Sequence, residues 1–181
     1  MTHDTIVVLA VLGLAGQVLI VLVAISWLLA GDYIRRLLWG YELWAAFVVA
    51  AMATGGSLFF SEIAGFVPCE LCWFQRISMY PLSILTLFAA FHGDYRFARY
   101  LIPLPVVGAG VSVYHLLVEN HVVATPQACK IGAGCATKWI NYFGYMTIPT
   151  LALTGFVLLI GFLSLAATGA RDEEATLPAG A

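Results

Sequence analysis

Five long apolar stretches constrain the fold of this chain more than any other feature of its sequence. Of its 181 residues, 62% are apolar and 10% are charged, whereas a soluble domain is about 45–50% apolar and about 25% charged. Each stretch supplies the roughly 20 apolar residues that a membrane-spanning helix needs. The stretches run approximately over Thr5–Ala30, Tyr41–Phe60, Leu71–Phe91, Ala98–Val118 and Met146–Thr168. Because backbone groups in a bilayer must pair within the chain, we predict an all-α, polytopic membrane helical bundle.

The basic residues of the connecting segments predict how the chain crosses the membrane. The arginines of the first connection, the third connection and the C-terminal tail are Arg35, Arg36, Arg96, Arg99 and Arg171. The second connection has no Lys or Arg, and the fourth has Lys130 and Lys138. Because basic residues accumulate on the cytoplasmic side, we expect a cytoplasmic C-terminus. The N-terminus and the second and fourth connections then face outward.

These spans divide the chain into three predicted sections. Residues 1–40 form an extra N-terminal transmembrane helix and a cytoplasmic connection. We expect this helix to be retained, because Met1–Asp4 lacks Lys and Arg and the apolar run is longer than that of a signal peptide. Residues 41–168 form a four-helix membrane domain, and residues 169–181 form a disordered cytoplasmic tail. The net charge of -2 offers no footprint for nucleic acid. The apolar spans make membrane lipid the expected surrounding.

All four cysteines fall in or beside the two connections that are predicted to face outward. They are Cys69, Cys72, Cys129 and Cys135. Disulfides persist on the oxidising side of a membrane, whereas cytoplasmic thiols stay reduced. The cysteines alone leave three interpretations open: redox-active pairs, two structural disulfides, and a zinc site built from four thiolates.

The first cysteine pair stands where the third apolar stretch begins. Pro68 suits the entrance to a helix, which places Cys69 at the helix N-terminus, where free N–H groups and the helix dipole favour a thiolate. Cys69 and Cys72 are three residues apart on one helix face, close enough for a disulfide. A disulfide that closes so small a loop adds little stability through chain entropy. This favours a redox role over a structural one.

Arg76 follows Cys72 by four residues on the same helix face. One helical turn lets its guanidinium reach the space beside the thiol, just inside the bilayer. A cation there would favour the Cys72 thiolate and could donate a hydrogen bond to the carbonyl oxygen of an electron acceptor. The alternative is an arginine that anchors the helix by extending its charge to the interface.

The second pair lies in the fourth connection, where Cys129 and Cys135 are separated by five residues that include two glycines. Such a loop can close a small disulfide ring, which we expect to be exposed. Exposed disulfides tend to be more oxidising, which suits attack by another protein's thiolate; a structural loop disulfide is the alternative. Aromatic residues from Trp139 onward suit the membrane interface. They would hold the second pair near the first, unless they form only an ordinary aromatic belt.

Two segments resemble a known family. Pro68-Cys-Glu-Leu-Cys-Trp-Phe-Gln-Arg-Ile-Ser-Met-Tyr-Pro81 strongly resembles the signature of the DsbB/BdbC disulfide bond formation proteins. Lys138-Trp-Ile-Asn-Tyr-Phe-Gly-Tyr-Met-Thr-Ile-Pro149 is similar to the segment after the loop cysteines in the short-loop, BdbC-like branch. The resemblance covers roughly residues 41–168. It implies a four-helix bundle in the bacterial plasma membrane that oxidises an extracytoplasmic thioredoxin-fold, DsbA-like partner and reduces the membrane quinone pool, ubiquinone or menaquinone.

The resemblance also implies roles for individual residues. Cys69 and Cys72 would be the quinone-side pair, with Cys72 nearest the quinone ring and Arg76 in contact with it. Cys129 and Cys135 would be the partner-side pair, with Cys129 the site of the mixed disulfide. No resident metal is expected.

His115 matches a family histidine near the quinone. It lies near the outer end of the fourth span, four residues before Glu119. Its imidazole could hydrogen-bond a quinone oxygen, and a buried histidine bonded to a neighbouring helix is an equal alternative.

Two features depart from the family pattern. The N-terminal helix has no role in it, and the loop from Cys129 to Cys135 is shorter than in the best-known members. The short loop leaves open how Cys135 reaches Cys69. Three rival functions remain: an oxidoreductase of the vitamin K epoxide reductase type, a thiolate metal-binding protein and a structural membrane subunit. In the first of these the loop pair precedes the CxxC pair, which is the reverse of the order here.

Overall fold

The fold is a bundle of helices. The computed structural model describes residues 7–8, 10–22, 40–124, 129, 134–141 and 144–176, with side chains described up to residue 168. The helices are α1 (Ala10–Leu22), α2 (Glu42–Leu58), α3 (Glu70–His92), α4 (Tyr95–Leu101), α5 (Pro103–Glu119) and α6 (Ile148–Thr176). No β-strand occurs among the described residues. The prediction of an all-α membrane bundle is confirmed.

Four helices surround one apolar core. Helix α2 packs against α3 and α6, and α5 packs against the same two helices, so the four close into a bundle. Helix α4 packs against α6. The core includes Leu43, Ala46, Ala50, Met79, Leu82, Phe156, Leu159 and Leu163. Gly108 of α5 admits the ring of Phe156, because a Cβ at Gly108 would overlap that ring.

Three described segments are long and apolar enough to cross a membrane: Glu42–Ile63, Tyr95–Glu119 and Ile148–Thr168. Helix α3 has 23 residues and is also long enough. Its polar residues Gln75, Ser78 and Thr86 are buried in the protein. Its exposed face carries apolar residues that suit lipid, among them Ile77, Ile84 and Phe88.

The observed helix boundaries differ from the predicted ones in three places. The predicted fourth span is two helices. Helix α4 ends at Leu101, and α5 begins at Pro103, where the missing backbone N–H of proline costs nothing. Helix α2 ends in a π-helical turn, Phe59–Ile63. Helix α6 continues to Thr176, so residues 169–176, predicted as disordered tail, are helical. The sequence there offers Ala, Arg and Glu, which favour helix.

Parts of the predicted N-terminal section lie outside the described residues. Helix α1 covers Ala10–Leu22 of the stretch predicted from Thr5 to Ala30. Arg35 and Arg36 of the first connection and residues 177–181 of the tail are not described.

Candidate active site

Cys69 occupies the N-terminal end of α3, as predicted. Its backbone is extended (φ -77°, ψ 171°), and its Sγ accepts a hydrogen bond from the backbone N–H of Cys72 at 3.4 Å. Cys69 is buried and Cys72 is half-buried, and both are free thiols with their Sγ atoms 3.0 Å apart. The helix start therefore brings the two sulfur atoms together without joining them.

His115 connects α5 to this pair. Its Nε2 lies 3.7 Å from the Sγ of Cys69 and 3.1 Å from the carbonyl oxygen of Cys135. A carbonyl oxygen only accepts, so Nε2 carries the proton and donates. On the other side of the ring, Nδ1 lies 3.3 Å from Nε2 of Gln75, whose amide donates to it. The buried imidazole thus ties the start of α3 to the loop that holds Cys135.

The second pair is bonded but not exposed. Cys129 and Cys135 form a disulfide with Cα atoms 5.4 Å apart. The prediction of an exposed disulfide is wrong, because its two cysteines are only 3% and 1% exposed; residues 130–133 of the ring lie outside the described residues. They pack in one apolar cluster with Cys69, Leu71 and Val118. A disulfide carries no hydrogen-bonding need of its own, so it can be buried against α3 and α5 once the carbonyl of Cys135 is bonded.

Aromatic stacking joins Trp139, which follows the second cysteine pair, to the segment that precedes α3. The ring of Trp139 stacks on Phe66 with centroids 5.0 Å apart, and Phe66 stacks on Phe60 at 5.9 Å. Lys138 Nζ donates to Oδ1 of Asn120 at 3.2 Å, just past the end of α5. The prediction that this segment keeps the two pairs close agrees with the position of Trp139. The neighbouring Tyr142 and Phe143 lie outside the described residues.

A cavity of about 380 Å³ adjoins Cys72. Cys72 and Arg76 line it, whereas Cys69 and His115 are not among its lining residues. Nη2 of Arg76 donates to the carbonyl oxygen of Ser57 at 3.1 Å. This places the guanidinium in the cavity wall, as the spacing from Cys72 predicted. The predicted contact of His115 with a quinone oxygen stays a prediction, because His115 lies beside Cys69 and does not line this cavity.

The cavity has a polar end around Arg76 and is otherwise lined mainly by apolar residues. At the polar end Tyr80 Oη donates to Oγ of Ser57 at 3.4 Å, and the guanidinium of Arg76 lies 5.4 Å from the ring centre of Trp73. The apolar lining includes Val49, Met52, Ala53, Phe60, Met79 and Phe156. The volume falls in the range of about 300–1,000 Å³ that is usual for small-molecule pockets.

The electrostatics of the site single out Cys69. Cys69 precedes the first residue of α3 and so lies outside the spanning segments. The hydrogen bond from the Cys72 side chain lowers the pKa of Cys69 to about 4; burial opposes the shift, and the hydrogen bond and electrostatic interaction with His115 add to it. In the reduced pair Cys69 is therefore the thiolate at neutral pH, as its place at the helix N-terminus led us to expect.

The same three side chains could hold a metal ion. The ligand atoms of Cys69, Cys72 and His115 lie within 4.8 Å of one another, and thiolate and imidazole are ligands that zinc prefers. The zinc site of four thiolates that the sequence left open is absent, because Cys129 and Cys135 are joined to each other.

Comparison with known proteins identifies the family to which this arrangement belongs. Residues 35–166 match the family model described as disulfide bond formation protein DsbB. The chain belongs to the DsbB family. Disulfide bond formation protein C of Bacillus subtilis is 47% identical over 125 residues, which cover 68% of this chain and 90% of that protein. The probable disulfide formation protein of Deinococcus radiodurans is 41% identical over 134 residues, covering 68% and 86%. No solved structure matches the chain significantly.

Within the DsbB family segment, three residues of the site were missed from the sequence. Gln75 sits inside the signature but was given no role, although its spacing from Cys72 places it on the same face. Glu119 is 2% exposed, accepts from Oγ1 of Thr147 at 2.8 Å, and lines a small cavity together with both cysteines of the first pair. Its spacing of four from His115 was an available signal. The carbonyl of Ser57 offered none, because it lies on a different helix.

We expect a His115→Ala variant to raise the pKa of Cys69, since His115 helps to lower it. The measurement is the rate of Cys69 alkylation against pH in the reduced protein. The pH of half-maximal rate should move upward, because the thiolate then forms only at higher pH. His92→Ala is the control, since His92 is exposed near the far end of α3. An unchanged profile in His115→Ala would show that the imidazole does not act on Cys69.

Proposed function

We propose that this protein reoxidises an extracytoplasmic thioredoxin-fold, DsbA-like dithiol protein and passes the electrons through its two cysteine pairs to a membrane quinone. One observation carries the proposal. Cys72 lines the large cavity beside Arg76, while its partner Cys69 is buried in the cluster that contains the Cys129–Cys135 disulfide. The pair therefore lies between a small-molecule cavity and a second redox centre. Membership of the DsbB family supports the same function.

The cavity suits a membrane quinone in volume and in the chemistry of its lining. A quinone has carbonyl oxygens on a flat ring and carries an apolar tail. The guanidinium of Arg76 has more N–H donors than its bond to Ser57 uses, so it can also donate to a ring oxygen. The apolar lining that includes Met52 and Phe156 suits the tail. When bound, the quinone accepts two electrons and two protons and becomes quinol.

The first step exchanges a disulfide with the partner. The partner's thiolate attacks Sγ of Cys129, the Cys129–Cys135 bond breaks, and Cys135 leaves as thiolate. The partner's second thiol then attacks the mixed disulfide, so the partner leaves oxidised and both loop cysteines are reduced. Because Cys129 is 3% exposed, this step requires the loop to open when the partner docks.

The second step passes the electrons inward. The reduced loop pair exchanges with the oxidised Cys69–Cys72 pair, so one disulfide forms as the other breaks. Cys69 is the sulfur that packs in the cluster with the loop pair, so it is the entry point. A loop thiolate attacks Sγ of Cys69, and Cys72 leaves as thiolate. The second loop thiolate then attacks the loop sulfur of this mixed disulfide, and the low pKa of Cys69 makes it a good leaving group in that last exchange.

The third step restores the disulfide of the first pair. Cys72 faces the cavity and Cys69 is the adjacent thiolate, so together they give up two electrons and join as a disulfide. Arg76 stabilises the negative charge that develops on the acceptor oxygen. His115 and Glu119 line a small cavity of about 20 Å³ that Cys69 and Cys72 also line, which is room for about one water molecule. In this step the Cys72 thiol also gives up its proton, and His115 and Glu119 are among the polar side chains that line this small cavity beside the pair.

The topology follows from the basic residues. We propose a bacterial plasma membrane location with the N-terminus outside, the C-terminus in the cytoplasm and all four cysteines on the outer side. The exposed arginines Arg96 and Arg99 lie in and beside the connection between α3 and α5, at the end of the bundle away from the cysteines. This agrees with a cytoplasmic position for that connection.

The decisive test combines the purified protein, a reduced thioredoxin-fold protein and either ubiquinone or menaquinone. We expect one quinone to be reduced for each partner dithiol oxidised, with both pairs cycling in thiol titrations. Stoichiometric bound zinc without quinone reduction would favour the metal site at Cys69, Cys72 and His115 instead. Net reduction of the partner by added quinol would overturn the proposed direction of electron flow.

A further inference from the structure

Helix α1 forms one wall of the large cavity, although it lies outside the DsbB family segment. The residues of α1 that line the cavity are Leu12, Gly13, Ala15, Gly16 and Leu19. Most of them share one helix face, since residues three and four apart are neighbours. The family match begins at residue 35, so the four-helix domain of the family does not supply this wall.

Two glycines bring α1 close to α6. A Cβ at Gly13 would overlap the side chain of Leu151, and a Cβ at Gly16 would lie 3.2 Å from atoms of both Leu158 and Thr154. Small residues at such positions let membrane helices approach closely. Gly13 and Gly16 therefore allow α1 to pack directly against α6.

One polar side chain fixes the rotation of α1 about its axis. Nε2 of Gln17 donates to Oγ1 of Thr154 at 3.2 Å, and Oε1 of Gln17 accepts from Oη of Tyr145 at 3.0 Å. An amide without partners in an apolar surrounding is costly, so these bonds favour one orientation. In that orientation Ala15 and Leu19 face the cavity.

The chemistry of this wall points to the tail of the electron acceptor. Cys72 and Arg76 mark the polar end of the cavity, and the lining from α1 is entirely apolar. We propose that α1 binds the isoprenoid tail of the membrane quinone and makes the protein selective for long-tailed quinones. This inference rests on the proposed quinone reductase function and assigns a role to a segment that lies outside the family match.

The first test places a larger side chain on the cavity-lining face of α1 and compares two quinones. An Ala15→Phe variant is expected to raise the KM for a long-tailed quinone by about tenfold and to leave the KM for a tail-less quinone unchanged. Val18→Phe is the matched control, because Val18 is 51% exposed and is not among the residues that line the cavity. It should change neither value. Oxidation of a single equivalent of the partner, which needs no quinone, should be equal in all three proteins.

The second test measures where the quinone tail binds, without requiring turnover. A quinone with a photoreactive group in its isoprenoid tail is bound to the wild-type protein in lipid vesicles and cross-linked by light. We expect the label in the segment Ala10–Leu22, less label in Ala15→Phe, and no loss in Val18→Phe. This measurement on the wild-type protein holds even if Ala15→Phe fails to fold.

The outcomes separate this inference from the proposed function. If the wild-type protein reduces both quinones but the label reaches only α2 and α6, helix α1 does not bind the tail and the inference is overturned. If Ala15→Phe folds and has the same KM values for both quinones as Val18→Phe, the inference is likewise overturned. If the wild-type protein reduces neither quinone, the proposed function itself fails.

Discussion

A Cys72→Ser variant is expected to lose quinone reduction, to less than about one-thousandth of the wild-type rate, while it keeps the Cys129–Cys135 disulfide. Cys72 is the sulfur of its pair that lines the large cavity, and a serine there cannot form a disulfide with Cys69. The loop pair packs against Cys69, Leu71 and Val118, so its bond does not depend on Cys72. The measurement combines quinone absorbance during turnover with thiol titration of the unfolded protein.

The oxidised variant should therefore show one disulfide and one free thiol, and it should still oxidise a single equivalent of the partner. A Cys129→Ser variant is the complementary control. It should also lose turnover with the partner, but the bond that survives in it is Cys69–Cys72. Sustained quinone reduction by Cys72→Ser at the wild-type rate would refute the assignment of the cavity-side sulfur.

The local geometry of the first cysteine pair could be predicted from the sequence because it depends on a single helix. Pro68 marks the helix entrance, and the spacings of three and four residues place Cys69, Cys72 and Arg76 along one side of α3. The structure agrees at each of these positions. Apolar length predicted the helices of the bundle for the same reason, since it is a property of consecutive residues.

Contacts between distant segments could not be predicted in this way. The glycines between Cys129 and Cys135 suggested an exposed loop, yet the disulfide is buried because His115 bonds the carbonyl of Cys135 and Trp139 stacks on Phe66. Neither contact leaves a periodic signal in the sequence. Hydrophobic patterning identifies which face of a helix is buried, but it does not identify the segment that covers that face.

The position of α1 beside the cavity was hidden for a similar reason. The sequence showed an additional apolar stretch, and composition alone cannot tell a helix that only anchors from one that lines a cavity. The decisive contacts are made by Gly13, Gly16 and Gln17 to α6 and to Tyr145. Glycine is common in membrane helices, so its spacing along an apolar helix is a weak signal, and a single glutamine indicates a contact between helices without identifying the partner helix.

An Arg76→Ala variant is expected to slow quinone reduction by about 100- to 1,000-fold, the usual effect of removing one donor to a developing oxyanion. The guanidinium lines the cavity beside Cys72 and is held there by its bond to the carbonyl oxygen of Ser57. Exchange between the partner and the loop pair should proceed at the wild-type rate, because Arg76 is not part of the cluster around Cys129 and Cys135. Single-turnover and steady-state kinetics separate the two steps.

The same variant distinguishes a donor from a membrane anchor. If Arg76 only positioned α3 at the interface, its loss would lower expression and thermal stability, and the surviving protein would keep its rate. Arg99→Ala is the matched control, since Arg99 is exposed on α4 and pairs with the neighbouring Tyr100. Arg76→Lys keeps the charge but not the planar set of N–H donors, so it should fall between alanine and the wild type. A rate in Arg76→Lys as low as in Arg76→Ala would show that donor geometry at the acceptor oxygen, and not charge alone, controls electron transfer.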